Sequence, residues 1–461
     1  MRARDIAARV TSGALTARAV AAAICDEVER RNPALNALIH FDRVAVLAEA
    51  EAVDRRVAAG EVLPLAGVPF TTKDNLWVEG RPATFGSRLF RDFVAPRDSW
   101  CVARLRALGA VMLGITNCSE FACKGVTTNL LHGATRNPLD LSRTPGGSSG
   151  GAVAAVAAGL GPLALATDAG GSTRRPAAHT GLVGFKPTLG AVPNPWGFDD
   201  PNHMLSVIGQ LGRDVEDVAL MFQSLLGFDA QDPLSQPEFS HMQVLSGLKA
   251  PLPPLRVAFS MDLGCDLAID EDVAAALQGS VARLRAAGWA VEEASPAWPA
   301  AAREYPLLAL QQAELAALFG EALARRPEDI DPVIADQIRL GQQVSGPQLA
   351  AVLMLRDKLS QSLSAFFADY DLLLCPTAPV EAWALDLMGP PEIGGRPAGP
   401  RGHAAYTPLF NYCNVPAISI PAGHGKAGLP LGLQIVGQRH ADPLVLRAAW
   451  WAERCLAEAA C

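Results

Sequence analysis

Two short stretches deliver a serine on a glycine doublet: Ser148 in PGGSSGGAVAAVAAG (residues 145–159) and Ser172 in ATDAGGSTRRPAA (166–178). Glycine loses the most conformational freedom on folding, so doublets mark backbone that takes positive φ or approaches another group closely. A serine hydroxyl so presented is a candidate nucleophile once a neighbouring base takes its proton. Gly146-Gly147-Ser148-Ser149-Gly150 also fits the G-x-S-x-G elbow, which would pair Ser148 with a histidine and an acid. An elbow needs a strand directly before the turn, and the preceding RNPLDLSRTP is polar and broken by proline. A phosphate-binding loop is excluded because no Gly-Lys-Ser/Thr follows the glycines. The third candidate is Lys73, which ends the apolar run in LAGVPFTTKDN (65–75). Taken singly, each serine stretch fits a tight structural turn and the lysine a solvated strand end. Together the three segments are far more specific.

The elements that must hold these residues alternate between helical and strand-like patterns. SWCVARLRALG reads as a helix stopped by Gly109, and AVMLGIT as a buried strand; GGAVAAVAAG followed by LALAT repeats that order. PLRVAFS, DEDVAAALQGSVARLRAAG and WAVEEA do so again between residues 254 and 294. Such alternation predicts an α/β fold with a sheet covered by helices on both faces. Residues 300–368 read as mostly helical, DLLLCP as a strand, and 389–403 as a loop. Near the N-terminus, apolar spacing from Ala17 to Val28 follows a helical period that ends near Asn32-Pro33. Arg18, Asp26 and Glu27 interrupt any signal-type apolar core there, so the segment reads as mature structure. The apolar run 151–166 is too short for a membrane span and is broken by Gly159, Gly161 and Pro162. No repeat or linker cuts the chain, so residues 1–461 are read as one domain, with a signature core over 65–220 and a more variable, substrate-side region over 230–405.

Composition narrows the function classes. Of 461 residues half are hydrophobic and 19% charged, enough for a large core. The net charge of −8, without a basic block, argues against a nucleic-acid partner and for a small-molecule substrate. Nine scattered cysteines without CxxC pairing fit reduced thiols in a cytoplasmic protein and give no metal set.

GVPFTTKDN, TRNPLDLSRTPGGSSGG and TDAGGSTRRPAAHTGLVGFKPT resemble the three core blocks of the amidase signature family, in its order and at about its spacing. The likeness runs from NPALNALI to FNYCNVPAISIPAG and LPLGLQIVG, over essentially the whole chain. It implies the family's mixed sheet, no cofactor and no metal. By motif it implies Ser172 as nucleophile, Ser148 as a bridging serine after a cis peptide, and Lys73 as base. A free lysine has a pKa near ~10.4, so burial must lower that of Lys73 before it can accept a proton. The small residues of the second turn let the amides of Ala169, Gly170, Gly171 and Ser172 converge as an oxyanion hole. Asp168, Asp74 and Asn75 read as structural.

Departures from the family pattern carry the substrate information. Thr173 stands for the usual aliphatic residue, Arg174-Arg175 for one arginine, and His179-Thr180 for Phe-Cys or similar. In some members an arginine beside this turn grips a substrate carboxylate, which makes Arg175 a substrate-side candidate, together with Cys118 and Ser149. PNPWGFDDPNHM (193–204) is unusual for the family, and its Trp196 and Phe198 are candidates for an acyl pocket. The resulting expectation is an amidase acting on linear small-molecule amides, with monomer and homodimer both open. The alternatives are the glutaminase component of a tRNA-dependent amidotransferase, which the divergence after KPT weakens, and a catalytically silent binding protein on the same fold. The complete Ser-Ser-Lys set argues against the last.

Overall fold

The structure, a computed structural model, describes residues 1–202, 204–304, 308–399 and 401–457. Eleven strands form one mixed sheet: β1 (Leu38–Phe41), β2 (Pro69–Lys73), β3 (Val111–Thr116), β4 (Leu163–Asp168), β5 (Val183–Lys186), β6 (Val207–Gly212), β7 (Val257–Phe259), β8 (Val291–Glu293), β9 (Leu372–Pro376), β10 (Ala417–His424) and β11 (Pro430–Gly437). Their order is β1-β3-β2-β4-β6-β5-β10-β11-β9-β7-β8. β2 runs parallel to β3 and β4, and β7 parallel to β8 and β9; the remaining neighbours are antiparallel.

Successive strand residues point to opposite faces, so a strand buried at every position is covered on both. β2, β3, β4, β6, β9 and β11 are buried throughout, while the edge strand β8 is partly or fully exposed at all three positions. Helices provide the cover, as the alternating pattern predicts. The helix Trp100–Ala107 is followed by Gly109 at φ 92°, a left-handed turn that glycine adopts without a Cβ clash, and the chain enters β3 directly. The apolar run after Ser149 divides into the buried helix Gly150–Ala157 and β4. Among the described residues no helix is long and apolar enough to cross a membrane.

Two expectations are corrected. The second helix does not stop at Pro33 but runs Ala17–Leu35. Asn36, at φ 51°, ends it, and the Asn32 side chain accepts from the amides of Ala37 and Leu38 to fasten the exit. Within 389–403, Glu392–Ile393 and Arg396–Pro397 pair as a small hairpin around Gly394 and Gly395, both at positive φ. That is the two-glycine turn suited to strand twist, hidden in a proline-rich context. The described parts of 300–368 are mostly helical, in Leu308–Arg325, Pro332–Gly341 and Gly346–Asp369. Cys25, Cys101, Cys118, Cys123, Cys375 and Cys413 are buried free thiols; Cys461 lies outside the described residues.

Candidate active site

Parallel pairing of β2 with β4 places the carboxyl ends of both strands at the same edge of the sheet. Lys73 is the last residue of β2, and the second serine turn leaves β4 at Asp168. Crevices beyond the carboxyl ends of parallel strands are the usual ligand sites of open α/β sheets. Lys73 is fully buried, and its Nζ donates to Ser148 Oγ at 2.8 Å and to Thr167 Oγ1 at 2.9 Å. Burial lowers its pKa to about 8, against a smaller opposing pull from surrounding acidic groups. About a tenth of the amine is then neutral at pH 7, far more than at an unshifted lysine.

The peptide joining Gly147 and Ser148 is cis. A Cβ at Gly147 would lie 2.6 Å from the Val126 carbonyl carbon, and one at Gly150 would lie 2.4 Å from Thr127 Oγ1, so neither position accepts a side chain as it stands. Thr127 braces the turn: its hydroxyl donates to Gly146 O and accepts from the Gly150 amide at 2.8 Å. Chain turns precede Gly146 where an elbow would require a strand, and the partner of Ser148 is an amine rather than an imidazole. The elbow reading therefore fails. His179 is buried against Trp383, and burial, aided by the Arg175 charge, pushes its pKa down to about 3.

The second turn is organised by Asp168, as expected of a structural residue. Its carboxylate accepts from the amides of Gly171 (2.7 Å) and Thr173 (3.2 Å) and pairs with the Arg174 guanidinium, both side chains being completely buried. Despite the cost of burial, Arg174 and neighbouring donors hold the Asp168 carboxyl far below the usual carboxylate range. Gln434 Oε1 accepts from Arg174 Nη1, and Asn411 Oδ1 from Nη2, the nitrogen that also pairs with Asp168. Because the Gly171 amide is engaged by Asp168, it is corrected out of the expected oxyanion set. Gly171 instead meets a packing demand: at φ 108° its Cβ would fall 2.0 Å from Thr407 Oγ1.

Ser172 lines a narrow cavity of about 30 Å³ with Ala122, Cys123, Lys124, Arg175 and Arg401 among its walls. It is 8% exposed where Ser148 and Lys73 are fully buried, so accessibility falls from Ser172 inward to the lysine. Arg175 reaches this wall, donating to Gly170 O and to Thr407 Oγ1 at 2.9 Å, with Gly147 O 3.5 Å away. It thus lies between the two serine turns.

The other substrate-side candidates lie elsewhere. Trp196 donates its indole N–H to Asp98 O, and Phe198 packs among Trp77, Phe85, Phe90 and Phe93. Both line a cavity of about 550 Å³ whose walls do not include Ser172. Ser149 is buried at the start of its helix, with its hydroxyl donating to Thr167 O at 3.4 Å. Cys118 is absent from the walls at Ser172, and burial raises its pKa well above the ordinary value; Cys123 is on the wall but is pushed up to about 12. Neither supplies a thiolate. Asp74 binds the Thr84 and Gly86 amides, as a structural residue does, while Asn75 donates to Thr167 Oγ1. Thr167, Thr127, Thr407, Asn411 and Gln434 were not singled out in the sequence, although Asn411 and Gln434 fall within its family-like C-terminal stretches. Among the described residues no group of three or more His, Cys, Asp or Glu side chains could hold a metal ion.

A profile of the amidase family matches residues 19–446, most of the chain. The chain belongs to the amidase family. Among curated relatives, the acylamidase of Rhodococcus erythropolis is 35% identical, with 97% of this chain and 94% of that one covered. The A-type component of glutamyl-tRNA(Gln) amidotransferase from Azoarcus sp. strain BH72 is 36% identical over 92% and 91% of the two chains. Among solved structures, a bacterial aryl acylamidase of the amidase signature family superposes with a TM-score of 0.91 at 30% identity, covering 99% of this chain and 96% of that one.

Proposed function

We propose that this amidase hydrolyses the C–N bond of a small linear amide through an acyl-enzyme on Ser172, with Ser148 and Lys73 as proton carriers. The observation that carries the reading is the fully buried Lys73 Nζ to Ser148 Oγ contact at 2.8 Å, in a chain whose Ser172 lines a cavity. Neutral Lys73 draws the Ser148 proton as Ser148 takes that of Ser172, and the Ser172 oxygen attacks the carbonyl carbon. The amides of Ala169, Gly170 and Ser172 face the developing oxyanion; loss of one such donor typically costs about 10² to 10³ in rate. The proton returns through Ser148 to the leaving nitrogen, the C–N bond breaks, and water repeats the cycle on the ester to release the acid. Each step uses this chain's own residues.

The glutaminase reading has support in the amidotransferase relative, and one experiment separates the two. The purified chain is given linear primary amides, anilides, a cyclic amide and glutamine, with intact-mass detection of the acyl-enzyme. The proposal expects turnover of linear amides by the chain alone and an adduct on Ser172 that Ser172→Ala abolishes. Glutamine turnover only with added partner proteins would replace the proposal with the glutaminase reading. Absence of turnover and adduct throughout would leave a silent binding protein.

A further inference from the structure

The cavity at Ser172 is lined by three cationic side chains, Lys124, Arg175 and Arg401, and by no carboxylate among the described residues. Their surroundings differ. Lys124 Nζ is neutralised by Asp331 Oδ2 at 2.5 Å. Arg175 is directed to Gly170 O and the Thr407 hydroxyl. Arg401 makes both of its hydrogen bonds from one nitrogen, Nη2, to the neutral acceptors Cys123 O and Gln311 Oε1, each at 3.1 Å. Its Nη1 and Nε have no acceptor, and no carboxylate within ion-pair distance, among the described residues. Arg401 and Leu308 also line an adjoining cavity of about 420 Å³, so this guanidinium stands where the inner chamber meets the outer one.

A planar guanidinium with two donors to spare matches the two oxygens of a carboxylate, and charge-assisted forks of this kind are the stronger class of hydrogen bond. A carboxylate arriving here meets a cation that folding has left without a counter-charge. We infer that the substrate is a short-chain amide bearing a carboxylate, and that Arg401 is the residue that selects it by binding that group while the scissile carbonyl sits at Ser172. The inner cavity is small, about 30 Å³, which keeps the link between amide and acid short. Arg175, the arginine singled out in the sequence, is left with the turns. This inference rests on the amidase reading and specifies its substrate class.

The test compares kcat/KM for succinamate and for butyramide, an uncharged amide of equal chain length, in the full chain and in Arg401→Gln and Arg401→Lys. The native enzyme is expected to prefer succinamate at least about tenfold, and Arg401→Gln to reduce that preference about tenfold to hundredfold, the worth of a charged hydrogen bond. Arg401→Lys, which keeps the charge and loses the fork, falls between. Circular dichroism and the Ser172 adduct report whether each variant is folded; the native preference stands as a test even if a variant is not. No native preference for the acid, or an unchanged preference in a folded Arg401→Gln, overturns the assignment while leaving the amidase reading in place. Failure of every amide to acylate Ser172 overturns both.

Discussion

Thr167→Val tests how the base is tuned. Thr167 Oγ1 accepts from Lys73 Nζ at 2.9 Å and from Asn75 Nδ2 at 3.0 Å, and the residue is 5% exposed, so valine preserves its shape while removing the acceptor. A hydrogen bond to a charged group contributes about 1.5 to 3 kcal/mol and one between neutral groups about 0.5 to 1.5. Protonated Lys73 therefore loses about 1 to 1.5 kcal/mol more than neutral Lys73, and at ~1.36 kcal/mol per unit its pKa falls by about one unit. Starting from about 8, the acid limb should move toward neutrality. The sign follows from chemistry: only the neutral amine accepts a proton, so activity rises with pH through this pKa, and a lower pKa brings the rise to lower pH. The plateau should fall about five- to tenfold, because the amine loses one of its two anchors and becomes a weaker base. The assay is a pH profile of single-turnover acylation from pH 5 to 10, where chemistry is observed directly. A limb that stays in place or moves upward, in a folded variant, would refute Lys73 as the titrating base.

Asp168→Asn removes the charge opposite the wholly buried Arg174, and breaking such a pair costs about 3 to 5 kcal/mol, to be read as a lower urea midpoint together with loss of activity. Unchanged stability would show that the pair does not hold the turn. Arg175→Ala should lower kcat/KM for charged and uncharged amides alike, because its guanidinium serves the two serine turns; a loss confined to acidic amides would return the carboxylate role to it. Phe198→Ala should lower the urea midpoint by opening the Phe85–Phe90–Phe93 cluster while KM stays within about twofold, and a large KM change would restore this aromatic to the substrate pocket.

Local signals in the sequence specified the order of helices and strands, because burial on both faces demands uninterrupted apolar strands and the intervening helices carry their own period and glycine stops. The same local chemistry marked Lys73, Ser148 and Ser172: a lysine closing an apolar strand, and serines on glycine turns too crowded for a Cβ. Spacing could not reveal what surrounds them. Thr407, Asn411 and Gln434 reach the second turn across more than 230 residues of chain, since a strand buried in the middle of a sheet gathers neighbours irrespective of sequence distance. Phe198 has a residue type suited to an acyl pocket at Ser172, yet packing with Trp77 and Phe85 decided where its ring lies. The Gly171 amide looked available until folding brought the Asp168 carboxylate to it. Sequence thus determined which groups could do chemistry. Tertiary structure decided their partners, because hydrogen bonds and desolvation depend on neighbours that only the folded chain brings together.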